Sequence, residues 1–260
     1  MILGGAEAIL SYPTEKYPFQ ETMRSVLGAA EGFTLREAHT LIRGSDAWAP
    51  LTFEGDTNTE FHRRYYKSTA YPEMIELYRG FLRNWLLPRL AAEEGEVEYI
   101  VQAEPSFRIH LPNNSALGAL AAVPEEREQG QGQIGLHCDA DYNHPSSETN
   151  YILSITGQAG TNSCYVETEP GKGDFHSVDI AYGELFRFHG NRCRHYNRMN
   201  VTGDTRISLD FRVIPGSKWY TIGETATKRA SEAEAVAAVH SGRPFSTAPG
   251  GYYVQIKLPE

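Results

Sequence analysis

Cysteine is scarce in this chain of 260 residues. Cys138, Cys164 and Cys193 are an odd set at no zinc-like spacing. Neither a disulfide scaffold nor a thiolate metal site is indicated, and reduced thiols in a cytoplasmic protein are the expectation. Positive charge is also in short supply. Lys and Arg total 24 against 33 Asp and Glu, a formal charge of -9, which argues against nucleic acid or an anionic membrane as partner. No apolar run approaches a membrane span. The first ten residues are apolar but carry no basic segment, so they are not read as a signal peptide. No repeat, low-complexity run or dividing linker interrupts the chain.

What is present fits one large domain with a sizeable core, generous in aromatics at 11%. Residues 1–95 read as a mainly helical flank, 96–215 as a β-rich core, and 216–260 as a C-terminal helix and strand. In the flank, helices are expected over Glu21–Ala30 and from Thr34 to Arg43, the second opened by a capping box of Thr34 and Glu37. Tyr71–Glu94 carries Met74, Leu77, Tyr78, Phe81, Leu82, Trp85, Leu86 and Leu90 at helical spacing, with Gly95 at its end and Pro88 expected to kink or split it. Beyond Gly95 the pattern turns to strands: Val97–Ala103, Phe107–Leu111, then about 134–140, 150–156, 163–168, 175–179, 184–189, 194–198 and 205–214. Tyr252–Leu258 is expected as a last strand and Ser231–His240 as a late helix. Short strands at this spacing indicate a sandwich or barrel. The polar stretch 112–133 between them reads as a long functional loop.

Two patterns carry chemistry. His137 and Asp139 stand two apart, and on a strand alternate side chains share a face, so imidazole and carboxylate can reach one ion. With a second histidine from elsewhere they make the facial set that suits non-haem Fe(II). Asp141 is a competing carboxylate, and otherwise a candidate substrate contact. The second pattern is Thr205–Val213, which alternates polar and apolar residues throughout. Ile207, Leu209, Phe211 and Val213 should bury against the helices, while Arg206 and Ser208 face the interior. An inward arginine needs an anion. A dicarboxylate co-substrate supplies one, held by a paired guanidinium contact and the serine hydroxyl.

Taken together, His137-X-Asp139, His195 and Arg206-X-Ser208 resemble the signature of Fe(II)/2-oxoglutarate-dependent dioxygenases. His-Cys-Asp-Ala-Asp-Tyr-Asn-His-Pro (137–145), Glu148-Thr-Asn-Tyr, the stretch from Glu167 to His176 and Gly190-Asn-Arg-Cys-Arg-His195 are similar, more narrowly, to a bacterial group. It includes the streptomycin-biosynthesis-type dioxygenases, the kainoid synthases and the lysine hydroxylases and halogenases. The narrow resemblance covers roughly Val97–Pro215. It implies a double-stranded β-helix (a cupin-like jelly roll), Fe(II), 2-oxoglutarate and O2 as co-substrates, and succinate and CO2 as products. It implies His137, Asp139 and His195 as metal ligands, and Arg206, Ser208 and Asn150 as co-substrate contacts. A carboxylate at 139 favours hydroxylation, desaturation or cyclisation over halogenation, which in this family goes with a small residue there.

The substrate expected is a small polar metabolite, a free amino acid or an amino sugar or cyclitol. Arg108 is a candidate for its carboxylate, with an ordinary surface arginine as the alternative reading. Oxidative cyclisation or desaturation is the rival within the family. A cupin-like metal isomerase or a non-catalytic ligand-binding jelly roll is the rival outside it. No nucleic acid or membrane partner is expected, and a homodimer is left open. His39, His62 and His240 are expected at the surface. His110, His176 and His189 are expected to pack or hydrogen-bond, and His144 to bond backbone.

Overall fold

The computed structural model describes residues 7–42, 59–112, 136–142, 144–221 and 251–259. The strands are β1 (Ala8–Ser11), β2 (Glu98–Gln102), β3 (Ser106–His110), β4 (Thr149–Ser154), β5 (Cys164–Val166), β6 (His176–Ser177), β7 (Glu184–Phe188), β8 (His195–Asn197), β9 (Arg206–Pro215) and β10 (Tyr253–Lys257). All named pairings are antiparallel. Among the described residues they form a seven-stranded sheet in the order β1-β7-β4-β9-β2-β10, with β3 also on β9, and a three-stranded sheet β6-β5-β8. The two sheets are the jelly roll that the family resemblance implied, within the sandwich or barrel that the short strands suggested.

Strand β9 is the spine. Its first half lies between β3 and β4, and its end pairs with β2. The strict alternation of its sequence is realised. Ile207, Leu209, Phe211 and Val213 enter the main core, together with Tyr78, Phe81, Leu82, Leu86 and Leu90 from the helices. Phe211 meets Tyr78 edge-on at 5.2 Å and stacks on Tyr151 at 5.2 Å. Each such side chain contributes roughly 1.5–3 kcal/mol through burial.

The helical layer is α1 (Phe19–Leu27), α2 (Glu60–Lys67), α3 (Tyr71–Phe81) and α4 (Leu87–Glu94). A short helix, α5 (Gly216–Thr221), follows β9. Between α3 and α4, Leu82–Leu86 forms a π-turn in which the Leu87 N–H donates to the Leu82 carbonyl five residues back. The interruption expected at Pro88 thus takes the form of this π-turn between α3 and α4, with the stretch 71–94 helical throughout. The wider turn makes room for a ring that would clash with the carbonyl four residues earlier.

Other expectations are corrected. The helix opened by Thr34 is a 3-10 turn, Leu35–Thr40, without a side-chain cap. It is held to the barrel instead, Thr205 N–H donating to Arg36 O at 2.7 Å and Arg36 Nε to Thr156 O at 2.9 Å. The capping box belongs to α2, through Thr59 and His62. His62 is buried, not at the surface, and packs edge-on against Phe107. Within the mainly helical flank, β1 lies at one sheet edge, paired with β7. From residue 136 on, where it is described, the strand expected over 134–140 is not formed: His137 makes an isolated bridge, and Asp139–Tyr142 is a 3-10 turn. Most of the polar loop 112–133, Trp48 and the expected helix 231–240 lie outside the described residues.

Candidate metal centre

The two histidines are brought together by backbone. His137 N–H donates to His195 O at 3.2 Å, and His195 N–H to His137 O at 2.8 Å. Their rings stand 4.4 Å apart. Asp139 reaches the same point from a turn, its N–H donating to Gly190 O at 2.9 Å. Its Oδ1 lies 3.9 Å from His137 Nε2 and 3.6 Å from His195 Nε2. One donor atom from each of the three residues falls within 4.8 Å of the others, close enough to hold one ion.

The surroundings favour a metal-binding state. His195 Nδ1 sits 3.1 Å from the Cys193 carbonyl, which directs the Nε2 lone pair at the other donors. Burial lowers the His195 pKa, countered in part by Asp139, and so favours the neutral, ligating imidazole. Burial alone would raise the Asp139 carboxyl. Arg212, His144, His195 and His137 instead hold it well below the ordinary carboxylate range. Donors of this kind, two imidazoles and one carboxylate with no thiolate, fit Fe(II).

A glycine and a glutamate of the sequence, Gly190 and Glu167, find their reasons here. A Cβ on Gly190 would lie 2.7 Å from Asn150 Cγ, so only glycine lets the Asn150 amide sit where it does. From there Asn150 Nδ2 donates to Asp139 Oδ2 at 2.6 Å. Glu167 is buried and accepts from Arg194 N–H at 2.7 Å and Gly173 N–H at 3.1 Å. It thereby pins the backbone that delivers His195.

The three donors open on a cavity whose wall also carries Arg108, Asn150, Asn197, Arg206, Asp210 and Arg212. Arg206 is buried, and its Nη1 donates to Asn197 Oδ1 at 3.2 Å. Ser208 shares its face of β9, but the hydroxyl donates to Asp210 Oδ1 at 2.9 Å. Arg108 Nε lies 3.4 Å from Asp210 Oδ2. Asp141 stands apart: it is exposed, its Oδ2 accepts from Cys138 N–H at 2.9 Å, and it does not line the cavity. His144 bonds Glu148 Oε1 at 3.1 Å, where a backbone partner was expected.

Sequence reasoning passed over Arg212, Asn197 and Glu148. Arg212 Nε and Nη2 donate to Asp139 Oδ2 at 2.9 and 2.7 Å. A signal was present, because Arg212 is in phase with Arg206 on the inward face of β9. Asn197 likewise stands two residues from His195 on one strand. Glu148 stood in a motif of the resemblance without a role, since Tyr253 and Arg212, unlike His144, are distant from it in sequence.

No family model matches the chain. The streptomycin biosynthesis protein StrG of Streptomyces griseus is 31% identical over 210 residues, covering 81% of this chain and 85% of that protein. Among solved structures, the α-ketoglutarate-dependent carbocyclase SnoK from nogalamycin biosynthesis matches with a TM-score of 0.49 at 11% identity, over 97% of this chain and 93% of that one. CytC3 with Fe(II) and α-ketoglutarate matches with a TM-score of 0.41 at 13% identity, over 81% and 73%.

Proposed function

Because this chain belongs to the Fe(II)/2-oxoglutarate-dependent oxygenases, in the group of the streptomycin biosynthesis protein StrG, we propose that it hydroxylates a small polar metabolite in a specialised biosynthetic route. It is an oxidoreductase whose metal is Fe(II) and whose co-substrates are 2-oxoglutarate and O2. A free amino acid or an amino sugar or cyclitol is the substrate class we assign. The observation that carries the reading is a donor set of two histidines and a carboxylate opening on the same cavity as a buried arginine.

In this reading His137, Asp139 and His195 hold the iron, which when bound supplies the O2 chemistry that oxidises substrate and decarboxylates the co-substrate. Arg206 takes the far carboxylate of 2-oxoglutarate, and Asn197 aims its guanidinium. Ser208 stands beside Arg206 on the same face of β9. Asn150 acts through Asp139 as well as beside the co-substrate. The apolar wall of Ile152 and Phe188 keeps water from the reacting centre. Arg108 and Asp210 remain for the substrate, whose acidic and basic groups they would meet. Asp141, exposed and turned to its own backbone, is a weaker candidate for that role. No helix of the described residues is long and apolar enough to cross a membrane, and a cytoplasmic location is part of the proposal.

The test is succinate formation from 2-oxoglutarate with Fe(II) and O2 across a panel of free amino acids, amino sugars and aminocyclitols. Acceleration by one class, with one oxygen atom added to the product, supports hydroxylation. A product lacking two hydrogens and carrying no new oxygen would replace it with desaturation or cyclisation.

A further inference from the structure

The two oxygens of Asp139 have different surroundings. Oδ1 faces the two imidazole Nε2 atoms. Oδ2 is turned away from them and accepts three hydrogen bonds: from Asn150 Nδ2 at 2.6 Å, Arg212 Nε at 2.9 Å and Arg212 Nη2 at 2.7 Å. The carboxylate is 2% exposed, so these partners stand in for water.

Arg212 is itself held from several sides. Its Nη1 donates to Tyr252 Oη at 2.9 Å and to Gln102 Oε1 at 3.3 Å. Its Nε lies 3.4 Å from Glu148 Oε2. Glu148 is buried, accepts from the Tyr253 hydroxyl and meets His144 Nδ1 at 3.1 Å. A fixed guanidinium charge thus faces two carboxylates, and its anchors come from β2, from the residues just before β4 and from the start of the C-terminal strand. Such an arrangement fixes Arg212 more firmly than its own rotamers would.

We propose that Arg212 is the positioning residue of the metal centre. By occupying Oδ2 it leaves Oδ1 as the one oxygen directed at the ion, so that Asp139 ligates through a single atom. A carboxylate free to rotate could ligate through both oxygens and take a position that a chelating co-substrate needs. The inference rests on the metal-centre reading above. Two effects oppose each other when Arg212 is removed. Asp139 gains donor strength as a neighbouring positive charge is lost, and it loses its orientation. Partners of metal ligands typically govern affinity by about 10- to 100-fold through orientation, and that effect is the larger one here.

The experiment is a Co(II) titration of the metal-free wild type, Arg212→Met and Arg212→Lys, followed by calorimetry and by the ligand-field absorption of the bound ion. Thermal unfolding of each metal-free protein is recorded alongside. The expected result is a folded Arg212→Met that binds Co(II) about 10- to 100-fold more weakly, with an altered ligand-field spectrum. Arg212→Lys, which keeps the charge but not the paired donation, falls between. Unchanged or tighter binding with the wild-type spectrum in folded Arg212→Met overturns the proposal. Should Arg212→Met not fold, Arg212→Lys decides: weaker binding supports it, and an unchanged Kd overturns it. Failure of the wild type itself to bind Co(II) would instead remove the metal-centre reading on which the inference stands.

Discussion

At the scale of single residues, the site is governed by how buried charges are answered. Arg206 is buried and donates to Asn197, and a carboxylate is the anion that suits the planar fork of a guanidinium. Arg206→Ala should weaken 2-oxoglutarate binding by roughly 2–5 kcal/mol, the usual cost of truncating one partner of a buried charge pair. Calorimetry with the metal-loaded protein measures it, and normal affinity would remove Arg206 from that role. Gly190 makes a sharper case, since an added methyl would collide with the Asn150 amide. Gly190→Ala should displace Asn150 from Asp139 and weaken metal binding while leaving the distant core intact, which Co(II) titration and thermal unfolding together would read. Arg206 was legible in the sequence because β9 alternates without a break. Arg212 obeys the same alternation, but its meaning depends on Asp139, Tyr252 and Gln102, which only the fold brings to it.

Among the elements, what could be read locally was read and what depended on pairing was not. The stripe on Tyr71–Glu94 and the strands from 149 to 215 follow from periodicity. His137 and Asp139 do come together as their spacing suggested, but not on the strand that it implied. It is a backbone bridge and a 3-10 turn, not a strand, that aim the two side chains, because Asp139–Tyr142 turns back to bond the loop at Gly190 and Asn191. Helix α2 shows the same limit. Its N-cap pairs Thr59 with His62, a residue placed at the surface by sequence and in the core by packing.

That burial has a consequence in acid. Burial, with the Arg108 charge, pushes the His62 pKa from 6.5 down to about 3. The folded protein keeps the ring neutral while the unfolded chain takes up a proton. The contribution to stability is therefore full above pH 6.5 and lost progressively as pH falls toward 3. Its slope is up to about 1.4 kcal/mol per pH unit. His62→Gln preserves a capping residue at that position and removes the titration. Urea unfolding across this range should show a gentler loss of stability for the variant than for the wild type. Parallel curves would assign the acid sensitivity elsewhere, His110 being the next buried histidine with its pKa lowered to about 3, by burial and then by Arg206.

For the whole molecule, a sandwich or barrel was readable from many short strands and the jelly roll from the family resemblance, whereas the strand order was not. β1 joins β7 and β10 joins β2 across most of the chain's length, and no local signal encodes such partners. The candidate metal donors are residues 137, 139 and 195, so an ion held there would tie segments that are distant in sequence. Saturating Mn(II) or Co(II) should raise the thermal midpoint, the stabilisation by mass action being about 2.7 kcal/mol at a hundredfold excess over Kd. EDTA should reverse the gain, and a midpoint indifferent to both would mean that the donors hold no ion.

The chemistry assigned to the chain depends on iron and 2-oxoglutarate meeting at one place. Anaerobic calorimetry of 2-oxoglutarate, with and without Fe(II), measures that directly. Saturable binding of one molecule per chain is expected only when Fe(II) is present, and it should disappear in Asp139→Ala. No binding to the iron-loaded protein, or equal binding without iron, would contradict the assignment.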